Sequence, residues 1–353
     1  MACNISRRQF SWRGILSASV MTWPSIWSAR LFGEETESNS FESLGTPETE
    51  AAVGRGLEYL AELQQENGTF GRTDFSRNVG VCSLAGMAFL AAGSTPSRGK
   101  FGQNMQRCVD YALASVRADG FIRTDGAVDR RPMYGHGFAT MLLCLTHGMT
   151  KASRENRSKI VAAVKTILNT QNDAGGWRYE PQRADADISV TACQMTALRA
   201  AKNAGFYVPR KTVEDAAAFV ESCQNKDGGF SYQRNEGESE WARSAAAIVS
   251  LYGAGIYSGS AIENGLAYLH RASKIRDGEE HEYFYYGLFY TAQVMWQAGG
   301  EHWKRWFPPV RETLIRLQKP NGSWIDPVGP AYATSVALIV LQMENGYIPL
   351  FQK

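Results

Sequence analysis

The sequence predicts an all-α protein, a single (α/α)6 toroid of six helical-hairpin repeats, on three observations. A short motif recurs along the chain, Gln, three residues, Gly, one residue, then Phe or Trp: Gln64-Gly68-Phe70, Gln171-Gly175-Trp177, Gln224-Gly228-Phe230 and Gln318-Gly322-Trp324. The middle two copies lie about 50 residues apart and the other gaps are roughly double, so a period near 50 with two worn copies gives six repeats. An amphipathic stretch precedes each motif and an apolar one follows it, so exposed helices alternate with buried ones. Six such hairpins close into a ring of inner helices wrapped by outer ones; an open superhelical solenoid is the architectural rival.

The first outer helix reads from Ala51 to Gln65, with Val53, Leu57, Leu60 and Ala61 on one face and Arg55, Glu58 and Glu62 off it. Asn67-Gly68 ends it, supplying the backbone freedom that a helix end and a tight turn need. The first inner helix follows over Gly80 to Ala92. In the second repeat the motif is worn: Tyr111 to Phe121 keeps Gly120 and Phe121 without the Gln, and the inner helix spans Gly137 to Thr146. The third repeat carries the full motif at Gln171 and an inner helix over Ser189 to Ala201. The fourth turns through Asp227-Gly228-Gly229 into Ala242 to Tyr252. The fifth keeps only its outer helix, around Gly265 to Leu269, before Leu288 to Ala298, and the sixth passes from Gln318 to Ala333 to Met343. The motif's Gln is expected to bond to backbone at a helix end and its aromatic to pack on the neighbouring repeat, a structural rather than a chemical role.

At 353 residues and 44% hydrophobic content the chain can bury one large core. A formal charge of +2, with no basic run interleaved with aromatics, points to neither nucleic acid nor an anionic membrane as partner. No apolar stretch inside the repeats reaches transmembrane length. The N-terminus reads separately. Ser6-Arg7-Arg8-Gln9-Phe10 followed by the mildly apolar Ile15 to Trp27 resembles a twin-arginine export signal over residues 1–29, a disordered basic tail being the rival reading. Residues 30–49, acidic and Ser-rich, read as a linker, and residues 50–353 as the ring. A twin-arginine route implies that the folded chain is sent to the periplasm or outside the cell. Of the five cysteines beyond the signal, Cys82, Cys144 and Cys193 fall in inner helices, where thiols behave as small hydrophobes. No Cys-x-x-Cys spacing occurs, and no metal or other cofactor is expected.

From about residue 50 to the C-terminus the repeats resemble those of squalene-hopene cyclases and oxidosqualene cyclases, and more loosely those of the β subunits of protein prenyltransferases. Asp185-Ala186-Asp187-Ile188-Ser189, directly before the third inner helix, resembles the D-x-D-D-T motif of class II terpene cyclases: Asp185 and Asp187 match the first and middle acids, Ile188 replaces the last, and Ser189 stands where the Thr would be. The resemblance implies an isomerase-type activity, cyclisation of an isoprenoid begun by Asp187 as general acid with Asp185 tuning it, since a nearby carboxylate and burial hold an acid protonated. The alternative is that one of these acids is an ordinary helix N-cap. It further implies that aromatics gathered where the inner helices begin, Trp177, Tyr179, Trp241, Tyr283, Tyr286 and Tyr290, face an apolar isoprenoid-like ligand and its cation. Filling of the ring's core is the other reading. Prenyltransferases place a zinc-binding His in a Tyr-His-Thr segment, where this chain has Tyr332-Ala333-Thr334, so that zinc is not implied. Two further readings stay open: a non-catalytic ring that holds an apolar ligand or a protein partner, and a glycan-active ring in which Asp187 faces Glu240 or Glu282. His281, between Glu280 and Glu282, is the histidine placed at the mouth.

Overall fold

The computed structural model describes residues 43–71, 73–124, 131–150, 154–272 and 283–352. The expected export signal, most of the linker, and the Glu280-His281-Glu282 segment lie outside these residues. The helices are α1 (Pro47–Leu63), the single turn α2 (Asp74–Arg77), α3 (Val79–Ala91), α4 (Gly102–Ala114), α5 (Pro132–Leu145), α6 (Arg154–Thr170), α7 (Ile188–Asn203), α8 (Arg210–Glu221), α9 (Trp241–Gly253), α10 (Ser260–Ala272), α11 (Phe284–Ala298), α12 (Gly300–Leu317) and α13 (Pro330–Leu341). Every residue of α3 is buried, whereas α4 buries a single stripe that includes Met105, Cys108, Val109 and Ala112. That contrast sorts α3, α5, α7, α9, α11 and α13 into an inner ring and α1, α4, α6, α8, α10 and α12 into an outer one. Each inner helix packs on the next, α13 returns to α3, and α12 meets α1. The inner ring therefore closes, with the first and last outer helices meeting outside it, and the chain is the expected toroid rather than an open solenoid.

Several helices begin earlier than their apolar periodicity suggests, and proline is the common reason. Pro47, Pro132 and Pro330 each stand in the first turn, where the missing N–H costs nothing and the fixed φ suits a helix. At α1 a capping box between Thr46 and Thr49 completes the start, so residues 47–49 belong to the ring. Tyr283 precedes α11 with a left-handed φ of 62°, which moves that helix start to Phe284.

The repeat motif fastens each hairpin to the next. Gln171 Nε2 donates to Gly175 O in its own turn and, at 2.8 Å, to Thr212 O in α8. Gln224 does the same to Gly228 O and Ala261 O of α10. Gln318 closes the ring by reaching Gly322 O and, at 2.8 Å, Ala52 O of α1. The motif aromatics fill the core: Trp177 and Trp324 donate their indole N–H to Ile167 O and Leu314 O at 2.8 and 2.7 Å. The backbone N–H of Phe70 donates to Ser76 O, whereas those of Trp177, Phe230 and Trp324 are held by hydroxyls on the following inner helix, those of Thr191, Ser244 and Thr334. In the worn second repeat a histidine takes that place. His136 Nδ1 accepts the Ile122 N–H at 3.0 Å, its Nε2 lies 3.2 Å from Ala163 O, and burial pushes the imidazole down to about 4. Gln318→Ala removes two part-buried bonds at the ring's closure and is expected to cost about 1–2 kcal/mol. Urea denaturation checks this against Gln65→Ala, whose exposed side chain bonds only within its own turn and whose loss should leave the midpoint unchanged.

Candidate functional site

A cavity of about 900 Å³ opens where the inner helices begin. First-turn residues of all six line it, and Leu84 and Phe138, several residues further along α3 and α5, lie roughly 8 Å deeper at 1.5 Å of rise per residue. Below them the ring is filled by rings in contact: Phe138 meets Phe289 edge-on at 5.7 Å, and Phe289 meets Phe351 at 6.0 Å. Phe351 belongs to the C-terminal turn Pro349–Phe351, which packs against α7 and α11. The cavity is thus floored by apolar and aromatic groups.

One wall is built differently. Arg131 lies over the Tyr179 ring at 4.8 Å, Arg178 lies over both Tyr179 at 4.9 Å and Tyr232 at 5.4 Å, and Arg243 lies over Tyr232 at 5.8 Å. Three guanidiniums alternate with two phenol rings. The repeat motif positions this wall. Trp177 and Phe230 are pinned in the core, and the chain leaving each of them presents the residue two positions later, Tyr179 or Tyr232, to the cavity. Arg178 is paired with Asp185, and Arg243 with Glu240 at 3.1 Å. Arg243 Nε is buried without a hydrogen-bond partner.

Asp187 stands behind this wall. It is fully buried and caps α7: Oδ1 accepts the Val190 N–H at 2.9 Å, and its backbone N–H donates to Trp177 O at 3.0 Å. Oδ2 accepts the Tyr232 hydroxyl at 3.1 Å, with Arg178 Nε 3.4 Å away. Tyr232 in turn shares a hydrogen bond with the Tyr179 hydroxyl. Burial pushes the Asp187 carboxyl up to about 6, against the Val190 N–H, the Tyr232 hydroxyl and Arg178, all of which favour the carboxylate.

A model of the prenyltransferase alpha-alpha toroid domain matches residues 39–277. The chain belongs to this toroid family. Among solved structures, it is similar to an alpha-amylase from Clostridium perfringens, at 11% identity and a TM-score of 0.58 over 83% of this chain and 97% of that one. It is similar to the type II terpene cyclase MstE from Scytonema, solved with geranylgeranyl dihydroxybenzoate, at 12% identity and 0.56 over 86% and 98%. A cellobiose 2-epimerase from Bacillus thermoamylovorans matches at 10% identity and 0.58 over 83% and 98%. At such identities the likeness is one of fold, and that fold serves several chemistries. No curated protein sequence matches the chain.

Within this toroid the expected site residues divide. Tyr179, Tyr283 and Tyr286 line the cavity. Trp177, Trp241 and Tyr290 do not. Trp177 is 1% exposed and bonded to α6, and Tyr290 is fully buried against Tyr286 with ring centroids 4.9 Å apart. Trp241 lies so close over α11 that a methyl group on Gly287 would fall 2.2 Å from its ring. Asp187 is the N-cap that the sequence allowed as the alternative, and it is not on the cavity wall. Asp185 is more than half exposed and turned to Arg178; burial, not Asp185, heads the causes that raise Asp187. Glu240 lines the cavity while Asp187 lies behind Tyr232, so among the described residues the two carboxylates do not face each other as a glycosidase pair. Sequence reasoning missed Arg178, Arg243 and Tyr232. The available signal was position: Tyr179 and Tyr232 each stand two residues beyond a motif aromatic.

Proposed function

We propose that the ring binds an amphipathic small molecule of isoprenoid type, its apolar body against Leu84 and Phe138 and its anionic head against Arg131, Arg178 and Arg243. The observation that carries this reading is the alternation of three guanidiniums with two tyrosine rings on one wall of a cavity whose other lining is mainly apolar and phenolic, with Glu240, Asn78 and Ser189 among it. The phenol faces hold the guanidiniums on this wall, and the N–H groups of Arg178 and Arg243 beyond those engaged by Asp185, Asp187 and Glu240 are the donors for a carboxylate or phosphate. Asp185 and Asp187 offset Arg178 and Glu240 offsets Arg243, so geometry more than net charge holds the head. A guanidinium carries five donors, more than these carboxylates use at Arg178 and Arg243. Proton-initiated cyclisation has less support: an alkene needs a strong acid in contact with it, whereas Asp187 is shielded by Tyr232 and bonded to groups that favour its ionised form. In the same reading the N-terminal segment sends the folded ring out of the cytoplasm by a twin-arginine route.

All-trans-retinoic acid, an isoprenoid carboxylate whose binding is followed by quenching of protein fluorescence, tests the reading. Wild type is expected to bind it saturably, and Arg131→Gln roughly tenfold more weakly, the loss of one charge-assisted hydrogen bond. Binding that is insensitive to this variant would place the head elsewhere. Mass spectrometry after incubation with squalene or geranylgeraniol is expected to return them unchanged. A cyclic product lost in Asp187→Asn would instead make Asp187 the proton donor.

A further inference from the structure

Resting on that binding reading, we infer that Asp187, Tyr232 and Tyr179 form a hydrogen-bond wire of fixed direction, which makes the cavity select a head group carrying a hydrogen-bond donor, such as a hydroxyl, beside its anionic group. The direction follows from proton counting. Asp187 Oδ1 is committed to the Val190 N–H, and an ionised carboxylate only accepts, so Tyr232 must donate its one proton to Oδ2. Tyr232 then has only lone pairs to offer Tyr179, and Tyr179 must donate to it. Tyr179, which lines the cavity, is left with a hydroxyl oxygen that can only accept. On either side of its ring stand guanidiniums, which only donate. The wall therefore presents donors from Arg131 and Arg178 around one acceptor. A plain carboxylate turns an oxygen toward that acceptor with no proton between them. A 2-hydroxy acid places its anion on the guanidiniums and its O–H on Tyr179, which satisfies both.

Reversing the wire tests this, because the cap fixes how an amide sits at residue 187. In Asp187→Asn the Val190 N–H holds the amide oxygen at the Oδ1 position, and the NH₂ group faces Tyr232. Tyr232 must then accept, its proton turns to Tyr179, and Tyr179 presents its own proton to the cavity. The probes are 2-hydroxyhexadecanoic, 2-methoxyhexadecanoic and hexadecanoic acids, titrated below their micellar concentrations at pH 8. Wild type is expected to favour the hydroxy acid over the methoxy acid roughly fivefold, Asp187→Asn to reverse that order, and Tyr179→Phe to bring the ratio near one. A merely structural role for Asp187 would weaken all three acids alike. Equal affinities in wild type, or the same hydroxy preference kept in Asp187→Asn, would overturn the wire while leaving the binding reading in place. No binding of any of the three acids would overturn both. Tyr232→Phe, which interrupts the wire without touching the α7 cap, is expected to match Tyr179→Phe and keeps the test intact if the Asn variant folds poorly.

Discussion

Adding one methyl group at Gly175 is expected to destabilise the ring by about 3 kcal/mol, the sum of a left-handed backbone forced on alanine and a contact that cannot relax. Gly175 has φ 97°, and a Cβ there would lie 2.2 Å from the carbonyl oxygen of Asp215 and 2.6 Å from its carbon. Asp215 sits inside α8, so the obstacle is helix backbone rather than the end of a flexible side chain. The same arrangement recurs around the ring: a Cβ at Gly68 would lie 2.4 Å from Arg107 O, and one at Gly120, Gly228 or Gly322 would lie 2.5 Å from Ala162 O, Asn264 O or Arg55 O. Gly205 is the control, with φ 80° and nothing within 4 Å, so Gly205→Ala should cost only the backbone strain of about 1–2 kcal/mol. Urea midpoints of the two variants separate the steric part from the strain. A Gly175→Ala midpoint no lower than that of Gly205→Ala would mean that the turn does not rest on α8. A site effect should follow, because Trp177 O receives the Asp187 N–H and Tyr179 lies two residues further on. Folded Gly175→Ala is therefore expected to bind retinoic acid more weakly than wild type.

That recurrent close approach explains why so much of the fold was legible in the sequence. The Gln and Gly of the motif act through backbone, so no other residue types substitute easily, and the period survives even in the worn copy that keeps Gly120 and Phe121. Helix starts were harder to read because Pro132 and Pro330 look like breakers in sequence and act as first-turn residues in space. The site was legible only as a region. Asp185-Ala186-Asp187 marked a helix start at the mouth correctly, yet spacing cannot say whether a carboxylate turns to the cavity or to the Val190 N–H. That choice is made by Trp177 and Tyr232, which arrive from other parts of the chain. The aromatic residues share the difficulty: Tyr286 and Tyr290 are one helical turn apart, and packing alone puts the first on the cavity and the second behind it. Arg178 and Arg243 carry no motif at all. Their importance appears only when the phenol rings between them are in place.

Asp187 and His136 are expected to pull the protein's pH dependence in opposite directions and to conceal each other between about pH 4 and pH 6. The Asp187 carboxyl titrates near 6 in the folded chain against an ordinary 3.8. The folded state therefore holds that proton more tightly than the unfolded state does, and stability is lost as pH rises from about 4 to 6 and remains lost above it. His136 titrates near 4 in the folded chain against an ordinary 6.5. Its unfolded form takes up the proton first, so stability is lost as pH falls from about 6.5 to 4. Each shift is worth about 3 kcal/mol at its limit, and over the shared window the two slopes cancel. Asp187→Asn keeps the cap acceptor and removes the titration. Relative to wild type it should gain about 3 kcal/mol between pH 4 and pH 7, and its own midpoint should fall steeply toward acid as His136 is unmasked. His136→Asn keeps an acceptor for the Ile122 N–H and should give the mirror result, a midpoint that improves as pH drops from 6 to 4. Urea denaturation of the three proteins across pH 4 to 8, read as differences from wild type, measures both. A difference between wild type and Asp187→Asn that does not change with pH would mean that Asp187 is not buried as a titrating carboxyl. An unshifted carboxyl would still be ionised at pH 8, so the direction of the wire, which rests on the hydrogen-bond geometry, would stand.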